Sequence, residues 1–485
     1  MRTKLYSFST RLITVVLGLV SLLLIALLAA YLQEQIAMQA DALIRSSLRW
    51  KFLFAAGLLV VGLIVLFKLL RRIPLFPCVL FVAAAALSMA AAAFLRTELQ
   101  SDFLLLYRSA VQLRHGDLSF ANNVYFYLWG YQSVYVAWEA ALLSLWEDPR
   151  MIQLVHCLLF SGSLVLLYRL MRTSLSEQAA RIAAVLPLLF PFFFTLPSVL
   201  TNQIPSAFFF LLGLWCLVGQ EMRQRGRWRF ALGGALLQLG NLLRPEGVLV
   251  LAALAAVGIL YLLSHHEQWK RLAVAGLLVL AAYFLVGRLA ELLAVWTGLN
   301  PAGLGNRSPL WKFLIGFNHE TGGSYSDADW QAVLSTLSPT YKVTDATLEL
   351  ERSLIAQRLQ QPLGAFWQLF LHKVENLWVK GGLYWALNRY LERWALLYSI
   401  VTWYDRLVLL AGVCLTGVGV VLGWKQKRPA VQYLPQLMVL AAFFAFLLVE
   451  VQPRYSYLPD FFLFWCAGYG VEELLTRRQN RKERR

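Results

Sequence analysis

Residues 12–31 read LITVVLGLVSLLLIALLAAY, twenty residues without a charged side chain. At about 1.5 Å per residue, a helix of that length crosses the roughly 30 Å hydrocarbon core of a bilayer. Similar apolar runs recur at 52–70, 74–95, 132–146, 151–170, 182–200, 205–219, 230–246, 247–263, 272–290, 366–387, 405–423, 431–449 and 455–473. The expected fold is therefore all-α, a polytopic transmembrane helix bundle of about 11–14 spans. The run 366–387 is interrupted by His372, Lys373 and Glu375, which fits a segment lying in the interface.

Composition points the same way. Of 485 residues, 59% are hydrophobic and 15% charged, against about 25% charged in a soluble globular protein. Too little polar surface is left to cover a water-soluble fold. The net charge of +17 would suggest nucleic acid in a soluble protein. Here the excess lies in short loops between apolar runs, and no basic patch alternates with aromatics outside a span, so nucleic acid is not an expected partner. The five cysteines, Cys78, Cys157, Cys216, Cys414 and Cys466, lie in or beside apolar runs without a CxxC pair; they read as small core residues. The N-terminal run resembles a signal peptide, but it exceeds a usual h-region and a second long run follows at once, so it reads as a retained signal-anchor helix.

Basic clusters at Arg71–Arg72, Arg223–Arg229, Lys425–Arg428 and Arg477–Arg485 belong in the cytoplasm by the positive-inside rule, and both termini with them. A multi-pass protein of the cell membrane is expected. The loops 96–131 and 291–365 then lie outside. The second carries seven acids and five bases and lacks the cytoplasmic signature. The chain divides into N-terminal spans (1–95), a first external loop (96–131), a membrane core (132–290), a second external segment (291–365), and C-terminal spans with a basic tail (366–485). The region 132–219 holds four apolar runs where an odd number is needed. Either 132–146 is too short to cross, the proline-broken region (Pro187, Pro191, Pro197, Pro205) crosses once, or a turn near Arg172 lies outside against the charge rule. No internal repeat is found, which weakens a secondary-transporter reading.

The first external loop holds the most suggestive side chains. Glu98 and Asp102 are four apart, so a helix over both would put the two carboxylates on one face. Residues 103–113 can lie flat in the interface with Tyr107 and Arg108 at its boundary. The aromatic cluster Tyr125, Phe126, Tyr127, Trp129, Tyr131 follows. Asp102 there can serve as general base on a hydroxyl, with the aromatics stacking on a sugar ring; the alternative is a solvated Asp beside an ordinary aromatic belt. A phosphate leaving group would need a cation. Three are placed for it: Arg454, whose other reading is an ion pair with Glu450; Arg244, whose other reading is a turn closed by Glu246; and Lys373, whose other reading is snorkelling toward headgroups. The six histidines make no metal spacing beyond the loose His319–Glu320, so no protein-built metal site or cofactor is expected; a divalent metal held by a donor phosphate stays open.

Four stretches together resemble the GT-C superfamily of membrane glycosyltransferases, nearest to the bacterial protein O-mannosyltransferase and aminoarabinose transferase group (glycosyltransferase family 39-like). They are SDFLLLYRSAVQLRHGD (101–117) with YFYLWGYQS (125–133), LTNQIPSAFFFLLGLW (200–215), LGNLLRPEGVLVL (239–251) and VEVQPRYSYLPDFFLF (449–464). Their order along the chain matches that family. The resemblance implies a polyprenyl-phosphate-linked sugar donor, held with membrane lipid. It implies transfer on the external face to a hydroxyl of an acceptor glycan, lipid or protein, with inversion at the anomeric carbon. It assigns the catalytic carboxylate to Asp102. The candidates for substrate binding are Glu98, Tyr107, Arg108, Tyr131, Gln132, Arg244, Lys373, Arg454 and Tyr455. The chain departs from the family in about two extra spans before the loop and in a single Asp where many relatives carry an adjacent acidic pair. Rival readings are a lipid-linked oligosaccharide polymerase or ligase, a transporter or flippase of lipid-linked sugars, and a non-catalytic scaffold. The charged residues gather at outer edges rather than deep in several spans, which argues against the transporter.

Overall fold

The computed structural model describes residues 2–38, 57, 70, 73–222, 224–390 and 394–483. The expected span at 52–70, apart from Gly57 and Leu70, lies outside these residues, as do Arg71, Arg72, Arg223, Arg484 and Arg485. The chain is a polytopic helical bundle. Its main helices are α1 (Arg2–Met38), α2 (Phe76–Leu95), α3 (Ser101–Arg114), α4 (Gln132–Leu143), α5 (Pro149–Met171), α6 (Glu177–Val185), α7 (Pro191–Thr195), α8 (Gln203–Val218), α9 (Trp228–Leu243), α10 (Gly247–Ser264), α11 (Trp269–Trp296), α12 (Leu363–Val374), α13 (Ala395–Gly423), α14 (Leu434–Leu448) and α15 (Tyr457–Glu483). Among the described residues no strand forms, only an isolated bridge between Trp129 and Asn306.

Among the described residues seven helices are long and apolar enough to cross a membrane: α1, α2, α5, α10, α11, α13, and α14 taken with the turn before it (Ala430–Leu448). The segments 177–189 and 191–199, bent by 61°, count as an eighth when read as one broken span. Pro187, Pro191 and Pro197 explain the bend, because a proline nitrogen carries no hydrogen for the helical ladder. Helices α8, α9 and α15 run between the same two ends. The first two have only 16 residues each, and α15 carries Asp460, Glu472 and Glu473.

Hydrogen bonds define the two ends. At one, the Thr97 and Ser198 hydroxyls meet at 2.7 Å, Asn202 Nδ2 donates to Leu243 O (2.9 Å), Asn300 Nδ2 to Phe126 O (2.9 Å), and Val451 N to Gly323 O (2.9 Å). At the other, Ser176 Oγ donates to Glu472 (2.6 Å), Tyr6 OH to Arg428 O (2.6 Å), and Gln220 Nε2 to Arg172 O. The second end also gathers Arg225, Arg227, Lys425 and Lys427, and is the end the charge rule expects in the cytoplasm.

This arrangement resolves the region 132–219. The expected crossing at 132–146 does not occur. Helix α4 has 12 residues, about 18 Å of rise, and packs on α3 at the end away from the basic loops. Three crossings remain between residues 131 and 220 (α5, the bent pair, α8), an odd number, and Arg172 falls at the basic end. The run 366–387 likewise does not cross. Its α12 is anchored by Lys373 to Gly316 O and Leu447 O, and Asn388 beyond it donates to Glu98 O, all at the opposite end.

The core is aromatic where the bent span meets α15. Phe193 stacks on Phe461 at 4.5 Å and meets Tyr457 edge-on at 4.9 Å. The break at Phe190 opens a new helix N-terminus inside the bundle, whose first N–H groups lack ladder partners. Asp405 of α13, fully buried, accepts from Phe192 N at 2.7 Å. Arg406 pairs with Asp405 and donates to Trp378 O. A charge is costly in a span unless paired and hydrogen-bonded; here the pair closes the break.

Helices α13 and α15 approach through glycine. A methyl on Gly470 would lie 1.9 Å from Leu415 O, and one on Gly419 2.8 Å from Gly470 N. Small residues permit such backbone approach between membrane helices. Gly470→Ala is expected to lower the thermal unfolding midpoint in detergent, a loss of about 1–3 kcal/mol. Gly276→Ala, with nothing within 4 Å of its added methyl, should leave the midpoint unchanged or slightly raised.

Candidate functional site

The site forms at the end opposite the basic loops, where α3, the 124–132 turn, the 200–203 and 244–246 connections, the Trp311–Gly316 helix and residues 449–456 converge. Helix α3 begins at Ser101, which takes a left-handed backbone (φ 52°), an uncommon conformation for a residue with a Cβ. Asp102 therefore lies in the first turn, where the helix dipole favours a negative charge. Its side chain is 39% exposed, and its Oδ2 lies 3.4 Å from Arg454 Nη2.

Arg454 is held from several sides. Its Nε donates to Gln452 Oε1 at 2.9 Å, and its carbonyl accepts from Gln203 Nε2. The guanidinium lies over Phe103 at 4.6 Å and over Trp385 at 5.6 Å. Cation–π contacts of this kind fix a planar guanidinium without neutralising it.

Tyr455 stands at the centre of three cations. Arg244 Cζ lies 4.6 Å from its ring centroid, Lys312 Nζ 5.8 Å and Arg454 Cζ 5.9 Å. Two of the three have their own carboxylates. Arg244 pairs with Glu246 and reaches Asn202 Oδ1 at 3.4 Å. Lys312 pairs with Glu450, and Glu450 N donates back to Lys312 O at 2.8 Å. Burial works against both charges of the Lys312–Glu450 pair, yet their mutual attraction wins, holding the Lys312 ammonium above and the Glu450 carboxyl below their ordinary ranges. Gln452 Nε2 donates to Glu450 Oε1 at 2.8 Å and satisfies a further lone pair.

A polar chain leads from this cluster to the aromatic turn. Asn202 Nδ2 donates to Gln132 Oε1 (3.2 Å), and Gln132 Nε2 to Tyr125 OH (2.9 Å). Burial pushes the Tyr125 and Tyr131 phenols up, so both stay neutral donors; the charges that act on Tyr131 include Lys312 and Arg244. Beyond Tyr125, Trp129 stacks on Trp330 at 5.8 Å, and Trp311 meets Trp330 edge-on at 5.7 Å. This tryptophan cluster fastens the 300–360 segment over the turn. Arg358 fastens it within, donating to Leu314 O and Asp329 Oδ1 at 2.7 Å each.

Around the expected catalytic Asp102 the structure brings together Arg454, Tyr455, Arg244, Gln132 and Tyr131 of the residues expected to bind substrate. It does not bring in the others. Glu98 precedes the helix rather than sharing a face with Asp102, because α3 starts only at Ser101; its carboxylate is exposed and lies 3.9 Å from Arg389. Tyr107 packs against the apolar cluster that holds Leu106, Tyr135 and Ile152, and Arg108 is exposed. Lys373 is 1% exposed, and both its bonds go to backbone carbonyls at 2.8 Å; burial pushes its ammonium down to about 7. It ties α12 to the bundle instead of reaching headgroups. The expected Arg454–Glu450 pair is also not formed: Glu450 takes Lys312, and Arg454 reaches Asp102. Lys312, Asn202, Gln203 and Gln452 were missed by sequence reasoning. Asn202 and Gln203 lie in the LTNQIP stretch already singled out, whereas Lys312 sits in a polar segment with no local pattern. Among the described residues no group of three or more metal-ligating side chains gathers.

Residues 133–291, about a third of the chain, match the model of the family described as dolichyl-phosphate-mannose-protein mannosyltransferase. Arg244 and Asn202 fall within the match; Asp102, Lys312 and Arg454 lie outside it. The match supports a membrane glycosyltransferase of the GT-C type. No curated protein matches the chain.

Proposed function

We propose that this chain transfers a sugar from a polyprenyl-phosphate-linked donor to an acceptor hydroxyl at the extracytoplasmic face. The carrying observation is the partly exposed Asp102 carboxylate beside three cations grouped on Tyr455. Asp102 takes the proton of the acceptor hydroxyl as its oxygen attacks the sugar C1. The C1–O bond to phosphate breaks, the electron pair leaves with that oxygen, and the polyprenyl phosphate departs as an anion. Arg454 faces both partners: its charge meets the leaving phosphate, and its 3.4 Å contact holds the Asp102 carboxylate at the site. Arg244 and Lys312 supply further positive charge, and the neutral Tyr125 and Tyr131 phenols can donate to sugar or phosphate oxygens. The family match, which concerns mannosyltransferases using a dolichyl-phosphate donor, supports this class of donor; the lipid end would lie among the spans.

The test is direct. Purified full-length protein in detergent is given polyprenyl-phosphate hexoses labelled in the sugar, with membrane extract as acceptor source. Release of polyprenyl phosphate together with label on a new acceptor is expected. Release of free sugar alone, or no reaction with any hexose while the protein remains folded, would sink the reading.

A further inference from the structure

A cavity opens at the basic end, far from the site above, between the start of α1, the end of α13 and the 424–433 connection. Its volume is about 620 Å³. Lys4, Arg11, Lys425, Lys427 and Arg428 line it, with no carboxylate among the described lining residues. Arg428 has a partner of its own, Glu473 at 3.5 Å, and lies over Tyr469; the lysines and Arg11 are exposed. Basic loops are ordinary at this end of a membrane protein. A walled cavity below them is not, and it holds an unmet hydrogen-bonding group. Gln436 lines it at 3% exposure, and its Oε1 has no hydrogen-bond partner. A buried amide oxygen without a partner calls for a donor. Among the lining hydroxyls, those of Thr10, Thr14 and Thr416 each donate to a carbonyl of their own helix.

The cavity thus presents cations at its mouth and spare acceptors inside, with Leu17 and Val420 on its walls. An ionised phosphate satisfies the first and can donate nothing to the second. A phosphodiester bearing a hydroxylated headgroup satisfies both, and the apolar Leu17 and Val420 suit the start of its acyl chains. From this we infer that the cavity binds one anionic glycerophospholipid with a polyol headgroup, of the phosphatidylglycerol type, from the leaflet at the basic end.

Native mass spectrometry of the full-length protein in detergent tests this, using phosphatidylglycerol, phosphatidate and phosphatidylcholine of identical acyl chains. A single retained phosphatidylglycerol is expected at about tenfold lower lipid concentration than phosphatidylcholine, as two or more nearby cations imply. The double variant K4Q/R11Q should remove that preference. Arg271→Gln, which removes an exposed charge at the same end outside the cavity, should keep it. Gln436→Leu should remove the preference for phosphatidylglycerol over phosphatidate while keeping that over phosphatidylcholine. The proposal is overturned if phosphatidylcholine is retained equally, if phosphatidate matches phosphatidylglycerol in the unsubstituted protein, or if Arg271→Gln acts like the double variant. Displacement of the lipid by soluble glycerol 3-phosphate would also overturn it, marking a small-anion site.

Discussion

Asp102→Asn is expected to reduce sugar transfer by about 10²- to 10⁴-fold, the usual contribution of a general base, while the protein elutes and unfolds as before. The two halves of this expectation rest on different observations. The loss follows from chemistry: an amide cannot take a proton from an attacking hydroxyl, although it keeps the size and hydrogen-bonding reach of the acid. The retained fold follows from placement. The Asp102 side chain is 39% exposed, and its ion-pair partner is Arg454 at 3.4 Å, which is otherwise held by Gln452 and two aromatic faces. Initial rates at saturating donor, set beside thermal unfolding midpoints, separate the two. Glu98→Gln serves as the control; with its carboxylate exposed and turned to Arg389, it should transfer at close to the normal rate. Near-normal turnover of Asp102→Asn would remove the base and leave Asp102 as a partner that merely orients Arg454.

How far the sequence could be read shows in these two acids. A spacing of four is informative only within a helix, and the helix begins between them, at a left-handed Ser101. No propensity argument places a start there, because Ser101 takes a conformation set by the surrounding contacts rather than by its own preference. The spans were legible for the opposite reason. Lipid leaves a backbone no partner but itself, so twenty apolar residues such as 12–31 admit one structure. The same reasoning misjudged 132–146, whose apolar residues cover α3 and α5 rather than face lipid; burial against protein and burial in lipid look alike in a list of side chains. Asp102, Arg244 and Arg454 could be found because each stands at the edge of an apolar run, where a charge must have a reason. Lys312 could not, because a lysine in a polar loop is unremarkable until the fold brings it against Glu450, 138 positions later.

That pair carries the second large expectation. Glu450 is 4% exposed and the Lys312 side chain 31%, so Lys312→Met leaves a buried carboxylate without its cation. Removing one partner of a buried pair is destabilising, here by about 3 kcal/mol, the low end of the usual range because Lys312 is partly wet. Activity should fall as well, by about 10²-fold if the ammonium stabilises the leaving phosphate. The single variant cannot tell these effects apart, since a loosened site would also lose rate. The double variant K312M/E450Q can. It removes both charges, keeps an amide that Gln452 and Tyr455 can still bond, and should recover most of the unfolding midpoint. If Lys312 acts on the phosphate, the rate stays low in a protein that is again stable, and the fall lies in kcat rather than KM, because the charge on the leaving oxygen grows only as the C1–O bond breaks. Recovery of the rate along with the midpoint would mean that Lys312 serves only to neutralise Glu450. The phosphate would then be left to Arg244 and Arg454, the two cations whose guanidinium planes already lie against Tyr455 and Phe103.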